Sequence, residues 1–216
     1  KRLCPLLTLP CRFRRRMMDE KEVKQEETTK KEKKFIWTWK GFFLSFLWVS
    51  VLVIAIDLAS KWGVVNFFKA NPQLKGSLEV IPHFFYLTLS YNKGSSFGMG
   101  SDISWMRYVF IVISWLASAG IIYYWYKNLN KKDHLVDCIL MLALGGAIGN
   151  AIDRTFYWDG VTGFSGVVDF FQFYIFGYNN DSFAIFNVAD AALVVAMMML
   201  IVLIVVRSIK EAVQKK

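Results

Sequence analysis

Residues 192–206, ALVVAMMMLIVLIVV, are apolar on every face of a helix and leave it no side for water. A soluble domain of 216 residues would distribute its apolar residues at a period of about 2 or 3.6. In this chain 55% of the residues are hydrophobic, and they occur in long blocks separated by short polar stretches. The sequence therefore predicts an α-helical integral membrane protein.

Four segments are long enough to cross a hydrocarbon core of about 30 Å, which takes roughly 20 residues of helix. They cover about 36–58, 105–126, 135–152 and 185–206, within a membrane domain of 36–207. A four-helix bundle is the expected architecture.

Two connections carry the remaining structure. Within about 62–103, the stretch SLEVIPHFFYLTLSYN has β-branched and aromatic residues in partial alternation. It predicts one or two short strands, with a break or an edge at Pro82. Within about 153–184, VVDFFQFYIFG is too short to span and contains Asp169 and Gln172, so it predicts an interfacial element.

The basic residues orient the chain. Twenty of the 26 Lys and Arg lie in the segment through Lys40, the 127–134 turn and the C-terminal tail, 208–216 with Arg207 before it. The positive-inside rule places both termini in the cytoplasm and both long connections outside a cell membrane.

The mixed charges of the leader, 1–35, favour a disordered cytoplasmic tail over a nucleic-acid-binding arm. Residues 1–16 precede the earliest methionine and are a candidate gene-start artefact.

Metal and disulfide chemistry are not expected. The three cysteines, Cys4, Cys11 and Cys138, have neither disulfide nor metal-ligand spacing. His83 and His134 fall on opposite sides of the predicted membrane. We expect a site without a metal or other cofactor.

Polar side chains collect at the extracytoplasmic ends of the four spans, at one depth. Ionisable groups there are costly to insert and usually face a bundle interior or a water-filled cleft, so they predict a shared polar site. Its candidate members are Asp57, Ser60 and Lys61 in DLASK, Asn150, Asp153 and Arg154 in GGAIGNAIDR, and Asn187 and Asp190 in FNVAD.

Structural roles stay open for several of these residues. Asp57 and Lys61 are four residues apart and can form an ion pair within one helix. The polar residues of GGAIGNAIDR can instead cap or lock a helix end. Its small residues favour close helix packing.

Asp169 and Asp190 are harder to explain structurally. Asp169 is flanked by GVV and FF, and Asp190 begins a membrane span. If the two meet in a low-dielectric cleft, their repulsion keeps one protonated near neutral pH and supplies a general base and a general acid. That is aspartic protease chemistry, although carboxylate pairs in membranes also serve proton relays and cation binding.

Five motifs in chain order together resemble those of the bacterial lipoprotein signal peptidases, the type II signal peptidases of aspartic peptidase family A8. They are DLASK (57–61), NKGSSFG (92–98), GGAIGNAIDR (145–154), VVDF (167–170) and FNVAD (186–190). The resemblance covers roughly 40–207. It implies a four-helix membrane bundle with an extracytoplasmic β-cradle and a short interfacial helix.

The resemblance also implies an activity: cleavage of the signal peptide of prolipoproteins immediately before a diacylglyceryl-modified cysteine. The substrate would be lipidated prolipoproteins among membrane lipids, the enzyme is expected to be monomeric, and the peptide antibiotic globomycin is expected to inhibit it. The catalytic aspartates match Asp169 and Asp190. Residues expected to bind substrate are Asn92, Gly94, Asn150, Arg154, Asn187 and Ala189, with Asp57, Lys61 and Asp153 supporting the site.

The chain departs from the family pattern in three places, one of which is an unusually long leader before Lys40. NKGSSFG has Ser96 where alanine is usual, and the connection TFYWDGVTGFSGVV (155–168) is longer than expected. That insertion predicts an extra surface flap and leaves Asp159 as a carboxylate without a catalytic role.

Two other classes of protein are rivals. An ion-coupled transporter would need polar residues at mid-membrane and an inverted repeat, neither of which is evident. A non-enzymatic assembly factor would leave the two aspartates in apolar surroundings without a purpose.

Overall fold

The computed structural model describes residues 39–92, 105–128, 133–156, 166–174 and 183–214. The chain divides into two compact units, Lys1–Ser45 and Phe46–Lys216. The described part of the first is a short helix, α1 (Trp39–Leu44). After its last residue, the Ser45 hydroxyl donates to the Phe42 carbonyl over 2.7 Å and the Ser45 N–H donates to the Gly41 carbonyl over 2.9 Å.

The second unit contains four long helices. They are α2 (Leu47–Ala70), α3 (Met106–Asn128), α4 (His134–Phe156) and α5 (Val188–Gln214). In the described residues, four helices are long and apolar enough to cross a membrane, as predicted. α4 packs against the other three and has the most buried surface of the four. The chain is a multi-pass membrane protein.

The first long helix is displaced from its predicted span, 36–58. α2 begins at Leu47 and continues to Ala70. Phe46 precedes it in the left-handed conformation, with φ 57°, which a bulky residue adopts only where packing compensates the strain. The prediction treated Asp57 and Lys61 as markers of the helix end. Both side chains instead form ion pairs and hydrogen bonds inside the bundle, so the helix continues past them.

Glycines on α4 bring the neighbouring helices close. A Cβ added at Gly145 would lie 2.7 Å from Cβ of Val53 on α2, and one at Gly146 would lie 2.5 Å from the Ala189 carbonyl oxygen on α5. A Cβ at Gly149 would lie 2.7 Å from the Asp57 carboxylate. The packing role predicted for LGGAIGNA is confirmed.

Three antiparallel strands form a small sheet in the order β1-β2-β3: β1 (Ser77–Ile81), β2 (Phe85–Asn92) and β3 (Val167–Phe173). One or two short strands with a break or an edge at Pro82 were predicted, and two strands flank it. The hairpin turn between them holds His83 at φ 59°. The Glu79 carboxylate stabilises that turn by accepting the His83 N–H over 2.8 Å.

The segment VVDFFQFYIFG differs from its prediction as an interfacial element. Its residues Val167–Phe173 form β3, the third strand of the sheet, rather than an interfacial helix. The β-branched and aromatic residues of this segment pair with β2 in the register Ser90↔Asp169 and Phe85↔Phe173. The rest of 153–184 where a short helix was expected, 157–165 and 175–182, lies outside the described residues.

The extension of α2 beyond Lys61 supports the sheet. Val65 of α2 forms a buried cluster with Val168 and Phe170 of β3. All three side chains are at most 2% exposed. The two faces of β3 are therefore both used: Val168 and Phe170 anchor the strand on α2, and Asp169 between them points to the opposite face.

The edge of β3 that faces away from β2 pairs with the segment that leads into α5. Phe171 and Phe186 form an antiparallel bridge, with N–H···O distances of 2.8 Å and 3.1 Å. Phe183 also donates its N–H to the Phe173 carbonyl over 2.8 Å. This pairing fixes the start of α5 beside Asp169.

Candidate active site

The first turn of α5 is closed by a capping box. The Asn187 side-chain oxygen accepts the Asp190 N–H over 2.9 Å, and the Asp190 Oδ2 accepts the Asn187 N–H over 3.2 Å. Asp190 therefore sits at the helix N-terminus, where the helix dipole stabilises a negative charge. The Asp190 carboxylate, at the start of the membrane span, therefore has a structural role in capping the helix, separate from any catalytic role.

Asn187 also contacts the second aspartate. Its Nδ2 donates to Asp169 Oδ1 over 2.6 Å, and its side chain is fully buried. Asn187 therefore donates to both carboxylates, to Asp190 through its backbone N–H and to Asp169 through its side-chain nitrogen, while its side-chain oxygen accepts the Asp190 backbone N–H. The sequence left open whether Asp169 and Asp190 meet, and the structure brings them to a common partner.

The environment of Asp169 favours its protonated form. The side chain is 2% exposed. Burial is the largest cause that raises the pKa of Asp169 to about 7, and the negative charge of Asp190 adds to it. Hydrogen bonds from Asn92 and Asn187 and the positive charge of Lys61 act in the opposite direction. A carboxyl group with this pKa can hold a proton at neutral pH and release it during a reaction.

A buried ion cluster lies behind the aspartates. The Lys61 ammonium contacts Asp57 Oδ2 at 2.7 Å, Asp153 Oδ2 at 2.9 Å and Asn150 Oδ1 at 3.2 Å. The intrahelical pair of Asp57 and Lys61 is present, and Lys61 also bridges from α2 to α4. Asp153 forms an ion pair with Lys61.

The two carboxylates of this cluster also bind backbone groups of neighbouring elements. Asp57 Oδ1 accepts the Ala189 N–H of α5 over 2.9 Å, and Asp153 Oδ2 accepts the Val168 N–H of β3 over 3.3 Å. The ion cluster thus holds α2, α4, α5 and β3 together around the aspartates.

Arg154 is a second basic residue near the pair. Its guanidinium interacts electrostatically with Asp190, Asp169 and Asp153. The Phe110 ring of α3 stacks against it, with 5.8 Å between the ring centroid and Cζ. Sequence reasoning missed Phe110 because one aromatic residue in an apolar helix has no distinguishing pattern.

Most of the predicted site residues converge on this region. Ala189 is fully buried beside Gly146 and Gly149 of α4, and its role in binding substrate stays a prediction. Gly94, Ser96 and Asp159 lie outside the described residues. The residues that come together are Asp57, Lys61, Asn92, Asn150, Asp153, Arg154, Asp169, Asn187, Ala189 and Asp190.

Metal binding has no obvious ligand set in the described parts of the chain. No group of three or more His, Cys, Asp or Glu side chains there is arranged to hold a metal ion. The expectation that the site works without a metal stays a prediction.

The fold and the site define a membrane-embedded aspartic peptidase, and comparison with known proteins agrees. The family model described as "Signal peptidase (SPase) II" matches residues 49–206, which include all three strands and most of the four long helices. The chain belongs to the signal peptidase II family, a family of aspartic peptidases, and is a hydrolase with a lipoprotein signal peptidase role. The transporter and assembly-factor alternatives are not supported.

Two solved structures resemble the chain, both described as bacterial membrane enzyme structures obtained by the in meso method. One, at 2.3 Å resolution, is 29% identical with a TM-score of 0.59, covering 80% of this chain and 91% of that chain. The other, at 1.9 Å resolution, is 30% identical with a TM-score of 0.59, covering 74% of this chain and 91% of that chain.

Proposed function

We propose that this protein cleaves the signal peptide from prolipoproteins immediately before the diacylglyceryl-modified cysteine, and that Asp169 and Asp190 are its catalytic residues. The observation that carries the proposal is the shared hydrogen-bond partner of the two aspartates, Asn187, in a chain of an aspartic peptidase family. Two neighbouring carboxyl groups in different environments can divide the general-base and general-acid roles of water activation.

The reaction divides between the two groups. Asp190, at the helix N-terminus, takes a proton from water as the water oxygen attacks the scissile carbonyl carbon. Asp169, whose pKa of about 7 lets it hold a proton near neutral pH, donates a hydrogen bond in its protonated form to the developing oxyanion and then gives its proton to the leaving amine as the C–N bond breaks. This division predicts that activity falls as the pH rises through about 7, the pKa of Asp169.

The remaining polar residues divide into positioning and substrate-binding groups. The buried amides of Asn150 and Asn187 are committed to the aspartates, so they position the dyad. Asn92 and Arg154, each half-buried beside the aspartates, are the residues we assign to substrate, together with Gly94. A guanidinium suits a peptide carbonyl or a lipid headgroup oxygen.

The proposed setting is the cytoplasmic membrane. The basic residues of the leader, the 127–134 turn and the C-terminal tail favour cytoplasmic termini, which puts the dyad at the extracytoplasmic surface. There the acyl chains of a substrate stay in the bilayer while its scissile amide reaches the site. We expect a monomeric enzyme inhibited by globomycin.

The test is a gel-shift assay with purified protein in detergent. A diacylglyceryl-modified precursor should lose its signal peptide, and globomycin should block that loss. The same precursor without its lipid should be cleaved much more slowly, because the binding energy of the acyl chains is missing. Equal rates for both precursors would overturn the lipid requirement, and no cleavage of either would overturn the proposed function.

A further inference from the structure

Asn150 stands between the buried ion cluster and the catalytic pair. Its Oδ1 accepts from Lys61 Nζ over 3.2 Å and from Asn187 Nδ2 over 3.1 Å, and its Nδ2 donates to Asp190 Oδ1 over 2.7 Å. Its side chain is almost fully buried, at 5% exposure of the residue. The orientation of this one amide decides whether Asp190 meets a donor or an acceptor.

The carboxamide is held in its orientation at both its oxygen and its nitrogen. A flip would place the NH2 group against the Lys61 ammonium and the oxygen against Asp190, two repulsive contacts. Of the two donors to Oδ1, the Asn187 nitrogen also serves Asp169 and the Val168 carbonyl. Lys61 is the charged donor, and a hydrogen bond from a charged group is roughly twice as strong as a neutral one.

We propose that Lys61 is a positioning residue for the dyad: by fixing the carboxamide of Asn150, it aims the amide nitrogen at Asp190. The proposal rests on the proposed function and deepens it, because it assigns a catalytic consequence to a residue that touches neither aspartate of the dyad by hydrogen bond. The donor from Asn150 and the backbone N–H of Asn187 then occupy one oxygen each of Asp190 and fix the orientation of the carboxylate that serves as general base.

The competing explanation is charge balance. Lys61 lies between Asp57 and Asp153, whose side chains are 0% and 2% exposed, so removing it leaves two buried carboxylates without a cation. Charge balance predicts lost stability and a loss of activity that does not depend on Asn150. Positioning predicts that the loss depends on Asn150.

A double-mutant cycle separates the two explanations. Lys61→Met should lower kcat by about 10- to 100-fold, the value of one hydrogen bond to a charged group, and leave KM within about threefold. In the Asn150→Ala background the same change should lower kcat by less than about threefold, because the amide through which Lys61 acts is gone. Single-turnover cleavage of the lipidated precursor with excess enzyme measures all four proteins.

Two controls keep the outcome interpretable. Lys69→Met removes a lysine from the last turn of the same helix and should leave kcat unchanged. If Lys61→Met does not fold, the cycle is repeated in the Asp57→Asn background, which removes one of the two carboxylates that Lys61 balances.

Equal losses of kcat in both backgrounds would overturn the positioning role while leaving the proposed function intact, since the unchanged protein would still cleave. Failure of the unchanged protein to cleave would instead overturn the function itself.

Discussion

The two ends of the helical bundle both carry ion pairs, but in opposite surroundings. At the end that holds the dyad, Lys61 and its two carboxylate partners are at most 4% exposed. At the other end, Arg207 of α5 pairs with Asp133 ahead of α4, and their side chains are 50% and 34% exposed. Buried charges can shift the protonation of their neighbours, because little water screens them, whereas exposed charges mainly fasten helix ends.

The difference extends to what each end is attached to. The buried cluster is continuous, through Asn150 and Asn187, with both aspartates of the dyad. The exposed pair is far from them along α5, the helix that contains both Asp190 and Arg207. Substitutions at the dyad end should therefore change kcat, whereas a substitution in the exposed pair should leave kcat nearly unchanged.

The largest effect is expected at the dyad itself. Asp169→Asn and Asp190→Asn should each lower kcat by at least about 10³-fold, since the amide neither accepts a proton from water nor donates one to the leaving amine. Cleavage of lipidated precursor measures activity, and thermal unfolding in detergent verifies the fold.

Asp159→Asn is the matched control, because it removes a carboxylate to which the proposal gives no role, and it should retain activity within about twofold of the unchanged protein. Appreciable turnover by either dyad variant would rule out the assignment of that aspartate.

Close helix packing at the dyad end gives the second effect. Gly146→Ala places a Cβ 2.5 Å from the Ala189 carbonyl oxygen, so the first turn of α5 must shift. We expect a loss of about 1–3 kcal/mol in the free energy of unfolding and a reduced kcat, since Asp190 follows Ala189 directly.

Gly120→Ala on α3 is the control, because an added Cβ there meets nothing within 4 Å. It should leave stability and kcat unchanged. If Gly146→Ala behaves like Gly120→Ala, α5 is not held as tightly as the structure indicates.

At the dyad end of the bundle, the sequence predicts the features that depend on neighbouring residues and misses those that depend on residues distant in the chain. The dyad, the polar cluster and the four spans follow from local motifs and long apolar runs. The continuation of α2 past Lys61 does not follow from local sequence. It depends on Asp153 and Asn150, which are distant in the sequence and bind the Lys61 ammonium inside the bundle. The strand that contains Asp169 has the same cause: its partner, β2, is separated from it by two helices.

The dual role of Asn187 has a partial sequence signal. An asparagine three residues before an aspartate, ahead of an apolar run, is a capping-box pattern. Its contact with Asp169 is not visible in the sequence, since it requires the pairing of Phe171 with Phe186. The packing position of Ala189 is likewise set by Gly146 and Gly149 on a different helix.

The pH dependence of stability gives a third, smaller effect. An ordinary aspartate has a pKa of about 3.9 in an unfolded chain, and the pKa of Asp169 is raised to about 7 in the folded protein. Between these values the folded protein binds more protons than the unfolded chain, so its free energy of unfolding falls as the pH rises. The asparagine of Asp169→Asn has no such proton to lose.

Thermal unfolding of both proteins from pH 4 to pH 8 tests this. Asp169→Asn should gain about 1–3 kcal/mol over the unchanged protein at pH 8 and little at pH 4. A constant difference across the range would show that the pKa of Asp169 is not raised.

The exposed pair should show the smallest effect. Arg207 donates a hydrogen bond to Asp133, which holds the pKa of that carboxyl below its usual value. Both side chains remain in contact with solvent, so Arg207→Gln should cost about 0–1 kcal/mol in the free energy of unfolding, and less at high salt. Because neither residue belongs to the network around Asp190, kcat for the lipidated precursor should stay within about twofold. A loss of kcat comparable with that of Lys61→Met would mean that α5 transmits changes from one end of the bundle to the other, and the two ends would then no longer be independent.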